Sequence, residues 1–95
     1  MLKDYEIERL SYLFKILGDP TRIKILSILD KKELCVNDIA DKLNISVSAV
    51  SHQLNNLKVA KLVKSRRDGK NIYYTLDDDH VEKLFENALE HIRHG

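Results

Sequence analysis

One cysteine, one proline, three glycines and no tryptophan occur among the 95 residues. With a single thiol, Cys35, no intrachain disulfide can form, which fits a reducing compartment. So little glycine and proline leaves no room for a linker, a collagen-like repeat or a low-complexity tract. No apolar run approaches the length of a membrane span, and the first residues, Met1 to Glu6, lack the apolar centre of a signal peptide. A cytoplasmic location is the expectation. Also missing are a nucleophile–base pair, a phosphate-binding loop and the length to enclose a pocket, so an enzyme is the class least expected.

The composition is 43% hydrophobic and 33% charged, as in an ordinary globular chain, and the length suits one domain spanning residues 1–95. A chain this short buries only about 60 to 65% of its unfolded surface, so association with a second copy would help its stability. The formal net charge of +1 conceals an asymmetry. Residues 58–70 carry six cations against Asp68 alone, a net +5, whereas residues 77–95 carry six carboxylates against Lys83 and Arg93, a net −4. The first segment can face phosphates and the second should face away from them.

Two amphipathic patterns meet between Val36 and Leu57 across a break too short for anything but a tight turn. Ile39, Ala40 and Leu43 form one stripe; Val50, Leu54 and Leu57, at i, i+4 and i+7, form the other. In the break, Asn44 tolerates the left-handed conformation that ends a helix, Ile45 can point inward, and Ser46 can cap the next N-terminus. The pattern predicts a helix-turn-helix. Its second helix leaves Ser48, Ala49, Ser51, His52 and Asn55 outward, small or hydrogen-bonding side chains suited to a major groove, although a plain solvated face reads the same way in isolation.

Upstream, a helix is predicted from about Asp4 to Leu17, with Leu10, Leu13, Phe14 and Leu17 on one face and Gly18 as its stop. Tyr5, Ile7 and Tyr12 give it a second apolar edge that suggests a partner surface. Asp19-Pro20 then starts a helix, Asp19 as cap and Pro20 in the first turn, with Ile23, Leu26 and Leu29 expected inward. Leu34-Cys35-Val36 is read as a short apolar bridge. Downstream, strands are expected at Leu62–Arg66 and Asn71–Leu76 around a turn at Asp68-Gly69. This basic hairpin places Arg66, Arg67 and Lys70 against phosphates or an adjacent minor groove, contacts that give affinity more than sequence choice. A last helix, from about Asp79 to His94, carries Val81, Leu84, Phe85, Ala88, Leu89 and Ile92 in a stripe that must be buried, most naturally across a dimer. The expected fold is mainly α with a small β-hairpin, a winged helix-turn-helix in the order α-α-α-α-β-β-α, dimeric through its first and last helices.

Leu17-Gly18-Asp19-Pro20-Thr21-Arg22-Ile23-Lys24-Ile25-Leu26, Val50-Ser51-His52-Gln53-Leu54 and Arg66-Arg67-Asp68-Gly69-Lys70, followed by Tyr74-Thr75-Leu76, resemble the ArsR/SmtB family of bacterial metal-responsive repressors. The resemblance covers nearly the whole chain. It implies a homodimer that binds double-stranded operator DNA when metal-free and releases it on binding metal. It also implies DNA contacts at Ser48, Ser51 and His52, with Arg66 and Arg67 on the wing.

The last helix carries the ligand-type residues Asp78, His80, His91 and His94. His80 and His91 lie about 16 Å apart along the axis, too far to share an ion within one helix. His91 and His94, one turn apart, can converge on one. Antiparallel packing of two last helices across a two-fold axis brings Asp78 and His80 of one protomer to His91 and His94 of the other, two sites per dimer. One carboxylate and three imidazoles suit tetrahedral zinc, with cobalt able to occupy the same site. The spacing resembles the zinc-sensing branch of the family. The histidines can equally be partners of the helix dipole and Asp78 a simple cap, which describes a repressor without metal input. His52 faces DNA and is outside the set. Cys35 sits in a Glu33-Leu34-Cys35-Val36 stretch similar to soft-metal members, but Asn37 stands where they have a second cysteine, so a small buried apolar role is expected of it. A protein-interaction module, disfavoured by the +5 segment, and a zinc buffer without effect on DNA are the other readings.

Overall fold

The computed structural model describes residues 1–95 as α1 (Asp4–Leu17), α2 (Pro20–Leu29), β1 (Leu34–Cys35), α3 (Val36–Leu43), α4 (Val47–Val59), β2 (Val63–Asp68), β3 (Asn71–Leu76) and α5 (Asp79–His94). The five helices and the hairpin match the expected winged helix-turn-helix. Capping chemistry sets the helix boundaries. Asp19 accepts from the Arg22 N–H at 3.0 Å with Pro20 in the first turn, and Asp78 accepts from the Val81 N–H at 3.1 Å. Between α3 and α4, Asn44 adopts φ 55°, and the Ala49 N–H donates to Ser46 Oγ at 3.0 Å. Ser46→Ala should therefore cost about 0.5 to 2 kcal/mol, read as a lower midpoint in urea unfolding with an unchanged slope.

The core is entirely apolar and centres on the helix-turn-helix. Ile39, Val50, Leu54 and Leu57 are fully buried, joined by Ile25, Leu26 and Leu29 of α2 and by Leu62, Val63 and Leu76 at the base of the wing. Ile23, expected inward, is 43% exposed, and Ile25 takes the core position. The cause is that α2 is apolar on most of its circumference, so its stripe has no unique phase. Leu10 and Phe14 of α1 also stand exposed, while Ile16 is buried.

Leu34-Cys35 forms a strand where a bridge was expected, pairing antiparallel with Tyr74 and Tyr73 to give the sheet order β1-β3-β2. The hairpin turn is displaced by one residue from the expected Asp68-Gly69. Asp68 pairs with Asn71, leaving Gly69 and Lys70 as the central residues, with φ 63° at Gly69 alone. A glycine in the first central position and no other positive φ is the pattern of a type II′ turn.

No residue of α5 is fully buried within the chain. Its stripe instead faces α1 and α2 across an apolar groove of about 260 Å³, lined by residues that include Phe14, Leu17, Ile23, Leu84, Leu89 and Ile92. The burial expected of this stripe is thus incomplete in one copy of the chain, with Ile92 75% exposed.

Candidate functional site

Helix α4 buries Val50, Leu54 and Leu57 and thereby turns Ser48, Ser51, His52 and Asn55 outward. The periodicity of the buried stripe alone determines this division. Gln53, between the two faces, is half-buried and fixed. Arg22 Nε donates to Gln53 Oε1 at 2.7 Å, and Arg22 Nη1 reaches the Ile16 carbonyl at 3.5 Å, so one side chain ties α4 to the end of α1. No local signal in the sequence marks this link, which spans 31 positions.

The wing divides the basic residues that the sequence had grouped. Arg66 donates from Nε to Glu33 Oε2 at 2.7 Å and from Nη2 to Glu33 Oε1 at 2.6 Å, and its guanidinium lies 5.0 Å from the Tyr73 ring centroid. This two-point hydrogen bond holds the Glu33 carboxyl below its ordinary value and raises that of Arg66. Arg67 and Lys70 are exposed near the tip. Lys58, at the end of α4, donates from Nζ to Ser65 Oγ at 2.9 Å and joins α4 to β2.

The ligand-type residues occupy the two ends of α5. Asp78 Oδ1 caps the helix while Oδ2 stands 3.6 Å from His80 Nδ1. The Val81 N–H, and after it the adjacent His80, hold the Asp78 carboxyl below its ordinary value of 3.8, so it is ionised at neutral pH. His91 and His94 lie exposed in the last turn. Within one chain no three or more His, Cys, Asp or Glu side chains cluster closely enough to hold a metal ion. The two halves of the expected set stay apart, as the length of α5 requires. Cys35 is half-exposed at the start of α3, with its Sγ 3.2 Å from Asp38 Oδ2, so it is less buried than expected.

Comparison with known proteins accords with this architecture. Residues 19–65 match the family described as bacterial regulatory protein, arsR family. The transcriptional repressor SmtB homolog of Synechocystis sp. is 42% identical over 88 residues, 93% of this chain and 67% of that protein. The cadmium resistance transcriptional regulatory protein CadC homolog of Staphylococcus aureus is 45% identical over 82 residues, 85% of this chain and 68% of that protein. Among solved structures, the homodimeric winged helix-turn-helix DNA-binding domain of a possible ArsR-family regulator from Mycobacterium bovis superposes with a TM-score of 0.90 at 26% identity, covering 98% of this chain and 89% of that one. No helix is long and apolar enough to cross a membrane. With identity at this level along the chain, and with the same fold, the protein belongs to the ArsR/SmtB family of metal-responsive, DNA-binding transcriptional repressors and is not an enzyme.

Proposed function

We propose that the protein is a cytoplasmic homodimeric repressor that holds operator DNA when metal-free and releases it on binding zinc, or cobalt, between its last helices. Residues 1–95 then act as one DNA-binding and metal-sensing domain. The observation that carries this reading is the arrangement of α5, which has Asp78 and His80 at one end, His91 and His94 at the other, and an incompletely covered apolar stripe between them. Antiparallel packing of two such helices covers the stripe and brings the two halves of each ligand set together. Zinc, when bound, would supply a tie between protomers. The donor set fits it: Asp78 is ionised, keeps Oδ2 outside its cap, and the three imidazoles are exposed. In the metal-free dimer, Ser48, Ser51 and His52 of each α4 enter successive major grooves while Arg67 and Lys70 meet phosphates. Once the α5 ends are tied, the two recognition helices are held at a separation unsuited to those grooves.

Titrating zinc into reduced, metal-free protein against a chromophoric chelator should give one tight ion per chain, lost in His91→Ala. Zinc should weaken duplex binding about 5- to 150-fold, as for a coupling of roughly 1 to 3 kcal/mol, and leave the variant unaffected. Tight zinc with unaltered DNA affinity would sink the coupling. The second reading, a repressor of this family without metal input, draws on the same capping bond. Asp78 is already accounted for by the Val81 N–H, and weak zinc binding indifferent to His91→Ala would establish that reading.

A further inference from the structure

Strand register separates the wing's two arginines. Successive side chains alternate between the faces of a sheet, so Val63, Ser65 and Arg67 share one face of β2 while Lys64 and Arg66 share the other. Val63 is in the core and Ser65 is bonded to Lys58 of α4, so Arg67 belongs to the face that continues from the recognition helix. Arg66 belongs to the outer face. Its partner across the hairpin is Tyr73, which pairs in turn with Cys35, and Glu33 lies two residues before Cys35 on that same face. The Arg66–Glu33 bridge therefore spans the central strand and fastens the outer strand of the wing to the loop leading into β1.

We propose, on the DNA-binding reading above, that Arg66 is a positioning residue, locked to Glu33 to set the angle of the wing, and that the wing's phosphate contacts belong to Arg67 and Lys70. Both oxygens of Glu33 and the Nε–Nη2 edge of the Arg66 guanidinium are used in this bridge, and the remaining Nη1 lies 3.9 Å from Asp68 Oδ2. A phosphate on the Nε–Nη2 edge would first break two short charge-assisted hydrogen bonds, and one approaching Nη1 would come up against the Asp68 and Glu33 carboxylates. Arg67 breaks no such bridge when it turns to a phosphate. The bridge also restrains a hairpin that is otherwise joined to its third strand through only the two residues of β1.

The test is the binding of a mixed-sequence DNA duplex across a salt series, for wild type and for Glu33→Gln, Arg66→Gln, their double variant and Arg67→Gln. Arg67→Gln should reduce the slope of log affinity against log salt by about 0.9 per contacting protomer. Arg66→Gln and Glu33→Gln should each weaken binding about two- to fivefold with the slope unchanged, and the double variant should be no worse than either. Simple charge counting predicts the opposite, because Glu33→Gln removes a negative charge and would tighten binding. The exchanged pair, Glu33→Arg with Arg66→Glu, should recover affinity. If Arg66→Gln lowers the slope as much as Arg67→Gln does, and Glu33→Gln tightens binding, the positioning role is overturned and the DNA-binding function stands. Absence of any salt-dependent duplex binding by the wild type overturns both.

Discussion

Ile92→Asp should convert the protein into a folded monomer that binds duplex DNA at least a hundredfold more weakly. Ile92 is the most exposed large apolar residue of the α5 stripe, 75% accessible, so the substitution removes nothing from the chain's own core. In a two-fold dimer the same change appears twice. Each carboxylate must either be desolvated against the apolar groove or take up a proton, a cost of about 2 to 3 kcal/mol per copy. Together they come to on the order of 4 to 6 kcal/mol, which weakens association about a thousandfold or more. DNA affinity falls with it, because a monomer offers one recognition helix and one wing and so displaces half the counterions. Size-exclusion chromatography with light scattering, together with a duplex titration, decides the matter. A variant that stays dimeric, or a monomer that binds as the wild type does, would place the interface away from α5.

What could be read from the sequence depended on how local the determining contacts are. Asn44 and Ser46 act within a few residues, and Val50, Leu54 and Leu57 are bound to one another by helical period, so the centre of the fold was legible. The phase of α2 was legible only in part: Leu26 and Leu29 are buried as expected, but Ile23, Ile25, Leu26, Ile28 and Leu29 leave most faces apolar and only the neighbours choose between Ile23 and Ile25. Core packing took Ile25, and Ile23 was left to the groove beside α5. β1 escaped notice because a two-residue strand has no period, and it exists only through its pairing with Tyr73 and Tyr74. The hairpin was found but displaced by one residue. Asp68-Gly69 and Gly69-Lys70 are both acceptable turns, and the pairing of Asp68 with Asn71 selects the second. The candidate site shows the same divide. Exposure of Ser48, Ser51 and His52 follows from the buried stripe, whereas the capture of Arg66 by Glu33 spans 33 positions and three strands. No charge count over residues 58–70 could separate Arg66 from Arg67.

Leu54→Ala tests whether the recognition helix is a reader mounted on the core or an independent element, and the expected loss is about 2 to 5 kcal/mol of folding stability. Leu54 has no exposed surface and belongs to one core cluster with Val50, Leu57, Ile39 and Leu26, residues drawn from α2, α3 and α4, so the cavity left by truncation can collapse only in part. Domains of this size have roughly 5 to 10 kcal/mol in total, so the variant should approach the edge of folding in urea at room temperature. Ser51→Ala, three residues earlier on the outer face, should leave the midpoint within about 0.5 kcal/mol of wild type and weaken DNA binding instead. Stability lost at Leu54 with affinity kept by the folded fraction, and affinity lost at Ser51 with stability kept, is the behaviour of a helix whose inner face builds the fold and whose outer face reads DNA. A Leu54→Ala variant as stable as wild type would mean that α4 is seated loosely. The separation of recognition helices, on which the proposed release of DNA by metal depends, would then have no rigid base.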